Sequence, residues 1–262
     1  MIEAVSDLLK FLAQGGYPTS DHAHVRYMFR GHGDKAWALT PGVYRPGFKV
    51  GVPQAGEDEE DARLRVEQHL FQDFSVMSAG LRSGRETACD LYALQQHHGM
   101  PTRLLDWSNN ALAALYFAVA DLRHDDTDGA LFALDAYQLA NCQGTSNCDV
   151  QGVATFGRTY LQNAVSVVSE WKKKASFGKW AVALRPDHNH TRVALQRSCF
   201  TFHVPQRREL VPRDLPCIRV VEIQGNCKRA IRQELAAIGI DDFSIFGDMD
   251  HLACRLKAAY LE

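Results

Sequence analysis

The chain has 262 residues, of which 46% are hydrophobic and 23% are charged. This composition excludes a disordered or fibrous protein and indicates a globular chain long enough to bury a substantial core. The 29 Lys and Arg residues nearly balance the 31 Asp and Glu residues, which excludes a global basic field for nucleic acid or an anionic membrane. Any anion site must therefore be local.

The first half of the chain is predicted to contain three helices and two short aromatic strands. Apolar residues at positions i, i+3, i+4 and i+7 indicate the first helix, and aromatic or branched runs indicate the strands. The predicted elements are a helix over 5–12, two strands over 25–29 and 36–40 joined by a tight turn, and helices over 57–77 and 86–98. Gly99 and Pro101 form the usual stop pattern of the last of these helices.

The second half begins with a predicted strand over 103–107 and a markedly apolar helix, which Ser108 or Asn109 can cap. The remaining elements are strands over 130–135, 180–184, 192–195, 199–204 and 217–223, a helix near 159–174, and two amphipathic helices near the end. Because helices and strands are segregated, we expect an α+β fold with a mixed or antiparallel sheet flanked by helices. No linker divides the chain, so we expect a single domain over 1–262, with a motif-rich core at 25–205 and C-terminal helices at 226–262.

The N-terminal segment and the cysteines predict a cytoplasmic protein. Residues 1–14 lack the basic flank of a signal peptide, and no segment has the ~20 uninterrupted apolar residues of a membrane span. The seven cysteines are scattered without repeated spacing, which favours reduced thiols over a disulfide framework. Cys142 and Cys148 have no second ligand pair nearby, so no metal site is predicted.

Two segments, 29–33 and 95–108, are denser in reactive side chains than packing requires. Arg30 follows an aromatic strand and precedes Gly31, so its guanidinium can point into a cleft while a ligand approaches the backbone closely. That geometry suits a phosphate or a carboxylate. An ion pair between Arg30 and a core acid such as Asp106 explains the same residues equally well.

The second segment carries two histidines and an aspartate. His97 and His98 lie at a predicted helix C-terminus, where the helix dipole favours the protonated form. Asp106 is predicted at the end of a buried strand, where an unpaired carboxylate would be costly. Arg30, Arg103 or the amides after Trp107 can balance it, and a structural aspartate explains this position at least as well as a catalytic one.

Together these segments resemble the FRG domain family, which is named for a Phe/Tyr-Arg-Gly motif. The resemblance covers roughly residues 25–260. The matching stretches are MFRGHGDKAWALTPGVYR from Met28, ALQQHHGMPTRLLDWSNNALAALYFAVA from Ala93, and RVALQRSCFTFH from Arg192, in which Gln196 precedes Phe200-Thr201. This resemblance implies the fold neighbourhood rather than a reaction.

A second resemblance, to ADP-ribosyltransferase-like folds with an arginine motif, implies an activity. Those folds hold NAD with an Arg on an early strand, continue with a strand that leads into a helix, and carry a glutamate on a late strand. Phe29-Arg30-Gly31 resembles the first element and Asp106-Trp107-Ser108 resembles the second. Gln196 stands where the glutamate is expected, which departs from the pattern.

This departure matters because a carboxylate stabilises the oxocarbenium-like cation of nicotinamide release in a way that an amide cannot. The resemblance therefore implies Asp106 as the substitute, with NAD as the substrate and no metal. The implied catalytic residues are Arg30, His97, Asp106 and Gln196, and the implied cofactor-binding residues are Arg30, Gly31, His98, Arg103, Trp107, Ser108 and Phe200. Trp107 or Phe200 is expected to stack on the nicotinamide or adenine, and His97 or His98 to contact a ribose.

Three functions are compatible with these residues. The first is an NAD-consuming transferase or glycohydrolase of a bacterial toxin or phage-defence system, with a protein or nucleic-acid acceptor left open. The second is a nucleotide sensor without turnover. The third is a protein-interaction module in which Arg30 and Asp106 form an internal ion-pair network. The first two predict that Arg30 and Asp106 converge on one cleft sized for a dinucleotide-like anion.

Overall fold

A computed structural model describes residues 1–17, 26–82, 84, 86–141, 181–184, 194–203 and 208–261. The predicted helix near 159–174 and the cysteines at 142 and 148 lie outside these residues. Within them, no helix combines the length and the apolar character needed to cross a membrane.

The described residues form one antiparallel sheet of six strands. The strands are β1 Tyr27–His32, β2 Leu104–Ser108, β3 Gly129–Asp135, β4 Ala181–Leu184, β5 Ser198–His203 and β6 Ile218–Ile223, in the order β4-β5-β2-β1-β3-β6. β1 pairs with β3 along its whole length, whereas β1 and β2 meet only where Phe29 lies opposite Ser108. The sheet therefore opens at its centre. At its β6 edge, Ile2 forms a parallel bridge with Ile223.

Eight α-helices occur in the same part of the chain. They are α1 Val5–Gly15, α2 Glu59–Met77, α3 Ala88–His97, α4 Ala111–Val119, α5 Ala136–Asn141, α6 Lys228–Ala237, α7 Asp242–Phe246 and α8 Met249–Tyr260. Side chains cap the three helices nearest the predicted motifs: Asp58 caps α2, Thr87 caps α3 and Asn110 caps α4. The cap of α4 thus lies beyond the two residues that the sequence suggested, because Ser108 turns the chain by accepting a hydrogen bond from the Asn110 N–H.

Alternation along the strands divides the core between the two faces of the sheet. One face carries two separate helical clusters. α1, α4 and α6 pack on β1, β3 and β6, whereas α2 and α3 pack on β2, β4 and β5. The gap between these clusters lies over the place where β1 and β2 part. The other face is covered by a third cluster that includes Met28, Trp107 and Phe132.

The α+β fold with a helix-flanked antiparallel sheet is confirmed, whereas some predicted strands are wrong. In the segment 36–40 only Leu39 makes a bridge, to Leu210, so β1 has no hairpin partner there and pairs with β3 instead. Ala194 and Leu195 are helical rather than extended. Gln196 lies in a turn before β5, and the next residue, Arg197, adopts a left-handed conformation (φ 47°) just before the strand begins at Ser198. The extent of the domain over 1–262 stays a prediction.

A buried ion pair connects α2 and α3 to the start of β2. Arg103 Nε lies 2.6 Å from Glu67 Oε2, and each side chain is only 4% exposed. The Arg103 N–H also donates to Glu67 Oε1 at 3.1 Å and to the Tyr92 hydroxyl at 2.8 Å. The Tyr92 hydroxyl donates to Glu67, and burial raises the pKa of Tyr92 well above its usual value. This network holds three elements as one unit.

Glu67→Ala should lower the free energy of unfolding by roughly 3–5 kcal/mol, because it leaves the Arg103 charge buried without its anionic partner. Urea unfolding of the purified variant measures this loss. Arg123→Ala is the control, since it removes an ion pair whose arginine is 85% exposed and should change stability little. Equal losses in the two variants would contradict the role assigned to Glu67.

Candidate ligand-binding site

A cavity of about 500 Å³ lies in the gap between the two helical clusters. β1, β2, α4, the end of α3 with its following loop, and the turn before β5 contribute to its walls. A volume of this size is typical of small-molecule sites. Arg30, His97, Asp106 and Gln196, the four predicted catalytic residues, all border it.

Arg30 is held by two neutral acceptors. Its Nε donates to His32 Nε2 at 2.8 Å, and its Nη1 donates to the main-chain oxygen of Asp106 at 2.6 Å. Burial lowers the pKa of Arg30 to about 10, so the guanidinium is still charged at neutral pH. Within the described part of the chain it has no hydrogen-bonded carboxylate, so its charge is available to an anion in the cavity.

The surroundings of His32 determine which of its ring nitrogens carries the proton. The ring is 3% exposed, and Nδ1 lies 3.1 Å from the main-chain oxygen of Trp37. A carbonyl oxygen only accepts, so Nδ1 carries the proton and Nε2 is free to accept from Arg30. Burial and the adjacent Arg30 charge lower the pKa of His32 to about 3. His32 was not among the predicted site residues, although residues two apart in a strand share a face and the spacing Arg30-Gly31-His32 could have revealed it.

Asp106 faces the cavity and is exposed, rather than buried at a strand end as the sequence suggested. Gln96 Nε2 donates to Asp106 Oδ2 at 2.7 Å, while Gln96 Oε1 accepts from the Thr102 hydroxyl at 2.6 Å. Since the two ends of an amide have opposite hydrogen-bonding roles, Thr102 orients Gln96 and Gln96 orients the carboxylate. Asp106 Oδ1 makes no hydrogen bond to any described residue. Sequence reasoning missed Gln96.

Ser108 and Gln196 join the end of β2 to the turn before β5. The Ser108 hydroxyl donates to the main-chain oxygen of Gln196 at 2.6 Å, and the Asn109 N–H donates to the oxygen of Arg197 at 3.1 Å. The Gln196 side chain borders the cavity, and its buried Nε2 has no partner among the residues that the structure describes. The Ser108 hydroxyl is thus used to hold the turn, while the Gln196 amide is available as a donor.

For four of the predicted ligand-binding side chains, the contacts that the structure gives lie outside the cavity. Trp107 borders it, but its indole is 3% exposed, packs on the opposite face and donates to Thr201 Oγ1 at 3.0 Å. Phe200 is buried with the α3 cluster, and Arg103 pairs with Glu67. His98 follows α3 and its ring contacts His97 rather than the cavity. These positions favour packing over ligand contact.

Two cavity residues that sequence reasoning missed supply a second cation and an aromatic surface. Arg45 borders the cavity with its Nε donating to the Thr40 oxygen at 2.8 Å. Phe117, on α4, is 37% exposed and borders the same space. Arg45 ends the first motif stretch, which was a usable signal, whereas Phe117 lies in a helix so apolar that every position suggested core.

Residues 25–127 match the family of the FRG domain. Over these residues the chain is similar to the FRG domain. No curated protein and no solved structure matches the chain. The matched segment includes Arg30, Arg45, Gln96 and Asp106, whereas Gln196 reaches the cavity from outside it.

The three residues of the FRG motif meet three different physical requirements. Phe29 packs in the core beneath α4. Arg30 turns its charge toward the cavity. Gly31 allows α4 to approach the strand, since a Cβ at this position would lie 1.9 Å from the main-chain oxygen of Ala114. The glycine is therefore required by helix packing, in addition to bordering the cavity.

Gly31→Ala should lower the free energy of unfolding by about 1–3 kcal/mol or more, because α4 has to move away from β1 to admit the methyl group. Thermal or urea unfolding measures this change. Gly33→Ala is the matched control, because its Cβ would meet its nearest neighbour at 3.6 Å, an ordinary contact. The packing explanation fails if the two substitutions cost the same.

The free energy of unfolding should fall in acid more steeply for the wild type than for His32→Gln. His32 keeps a pKa of about 3 in the folded protein against 6.5 ordinarily, so between these values the unfolded chain binds a proton that the folded chain refuses. His32 contributes fully above pH 6.5, and its contribution is lost by up to about 1.4 kcal/mol per pH unit below it. Urea unfolding across this range tests the difference, and parallel pH profiles would exclude it.

Proposed function

We propose that the cavity of the FRG domain binds NAD or a related dinucleotide and cleaves the bond between nicotinamide and ribose. One observation carries this proposal: a charged Arg30, held by neutral acceptors, faces the same cavity as the Asp106 carboxylate. A diphosphate supplies oxygens that can accept from the Arg30 guanidinium, and guanidinium groups bind phosphate oxygens with parallel hydrogen bonds. Asp106 supplies negative charge where the ribose becomes cationic.

The other cavity residues fit this division of roles. Arg45 adds a second positive charge for the diphosphate, and the exposed face of Phe117 offers a surface on which an aromatic base can stack. Gln96 holds the Asp106 carboxylate in one orientation with Oδ1 available. Gln196 can donate from its Nε2 to a ribose hydroxyl.

The proposed reaction breaks the C1′–N bond of NAD, and its electron pair leaves with nicotinamide. The oxygen of water, or of an acceptor group, then bonds to C1′ and releases a proton. With water the products are ADP-ribose, nicotinamide and a proton. Asp106 stabilises the cation between these events without forming a covalent bond itself.

A nucleotide sensor without turnover is the second candidate. It is favoured by the hydrogen bond from Gln96 to Asp106, which reduces the charge that the carboxylate offers, and by an amide rather than a carboxylate at Gln196. The interaction-module alternative is less favoured, because Arg30 donates to the main-chain oxygen of Asp106 rather than to its carboxylate, although the carboxylate still attracts the guanidinium. A toxin or phage-defence setting in the cytoplasm stays a prediction.

Calorimetry with NAD and ADP-ribose, combined with chromatography of released nicotinamide, tests the proposal. Arg30→Ala should weaken binding roughly tenfold to a hundredfold, since it removes charge-assisted hydrogen bonds to phosphate. Arg30→Lys should recover only part of this loss, because an ammonium lacks the planar fork. Asp106→Asn should leave binding largely intact and slow nicotinamide release by about 10²–10³.

The matched control is Arg123→Ala, which removes an exposed arginine outside the cavity and should leave binding and release unchanged. Reactions run with and without protein and nucleic-acid acceptors distinguish transfer from hydrolysis. Binding without release by the wild type would favour the sensor. No binding by the wild type, or equal binding by wild type and Arg30→Ala, would refute both.

A further inference from the structure

An arginine that is to receive an anion has to be aimed before the ligand arrives. Its long side chain has several rotatable bonds, and fixing them in advance removes an entropic cost from binding. Arg30 is fixed at two points, since Nε donates to His32 at 2.8 Å and Nη1 donates to the Asp106 main chain at 2.6 Å. Two such bonds define the plane of the guanidinium. Its Nη2 makes no hydrogen bond to any described residue.

The imidazole that accepts from Nε is itself held on several sides. Its Nδ1 bonds to the Trp37 oxygen, and its ring packs edge-on against Phe132, with 4.9 Å between centroids. The centroid of the Trp37 ring lies 5.9 Å from that of His32. His32 is buried, so its Nε2 has a fixed position, and water competes little with Arg30 for this acceptor.

We propose that His32 is a positioning residue: its unprotonated Nε2 accepts from Arg30 Nε and aims the Nη2 edge of Arg30 at the anionic group of the ligand. His32 thereby sets the affinity for that group without touching it. The identity of the ligand rests on the proposed function, whereas the His32–Arg30 bond can be tested in the ligand-free protein.

The hydrogen bond between Arg30 and His32 depends on the charge state of both residues. A protonated Nε2 would turn its N–H toward the Arg30 N–H, so the pair is stable only while His32 is neutral. The charged groups that act on His32 are the cations Arg30 and Arg45, and both disfavour its protonation. Burial has the largest effect, and Arg30 adds to it, so Arg30 helps to keep the residue that orients it unprotonated.

The first test uses nitrogen-15 NMR on the full chain without ligand. His32 should show a protonated Nδ1 and an unprotonated Nε2, and the Arg30 Nε–H should exchange slowly with water. His32→Gln offers an amide oxygen as a replacement acceptor and should keep this slow exchange. His32→Phe keeps an aromatic ring without an acceptor, so exchange should accelerate roughly tenfold or more. A protonated Nε2 in the wild type would overturn the proposal.

The second test measures ADP-ribose affinity by calorimetry. His32→Phe should weaken it roughly tenfold, and His32→Gln should restore it to within a few-fold of wild type. His124→Phe is the matched control, because the His124 ring packs on Trp37 at 4.8 Å but makes no bond to Arg30. Wild-type exchange and affinity in His32→Phe, or equal losses in His32→Gln and His32→Phe, would overturn the positioning role.

The NMR and calorimetry tests still decide the proposal if one variant does not fold or if ADP-ribose does not bind. Should His32→Phe not fold, the wild-type tautomer and the behaviour of His32→Gln decide the proposal. Should the wild type not bind ADP-ribose, the proposed function fails, while the NMR result still decides whether His32 orients Arg30.

Discussion

The parting of β1 and β2 is the constraint on which the site depends. Two neighbouring strands that paired along their length would close the sheet and consume their main-chain groups in the ladder. Here they meet only where Phe29 lies opposite Ser108, and the main-chain oxygen of Asp106 is left for the Arg30 guanidinium. One side chain thus replaces missing ladder bonds, and the space beside it becomes the cavity.

Packing on both sides of this opening holds the elements that carry the cavity residues in place. On one side Gly31 lets α4 lie directly on β1, which carries Arg30. On the other side the buried network of Glu67, Tyr92 and Arg103 fixes α3, which carries Gln96, against β2. Arg30, Gln96 and Asp106 are therefore mounted on regular elements, which favours preorganised recognition, whereas Arg45 and Gln196 reach the cavity from a loop and a turn.

The sequence predicts the elements whose hydrophobic periodicity is strong, but it does not predict the site residues that tertiary packing brings to the cavity. β2 and α4 are predicted because their patterns are unambiguous, and the FRG motif marks Arg30. The stacking role of Trp107 or Phe200 stays a prediction, although both side chains are buried in core clusters. Strand alternation does not decide it, because the pairing of Phe29 with Ser108 puts Trp107 level with Arg30, which borders the cavity. Nothing in the local pattern shows that Phe117 borders the cavity. Gln96 depends on the packing of α3, which only long-range contacts determine.

The order of the strands along the chain has a consequence for synthesis on the ribosome. The family match ends at residue 127, yet β3, the main partner of β1, begins at Gly129, and β5, the main partner of β2, begins at Ser198. A nascent chain that has just completed the matched segment therefore exposes two central strands without their neighbours. Such unpaired edges promote association with other chains, so we expect the segment 25–127 to need β3 and β5 before it can fold stably.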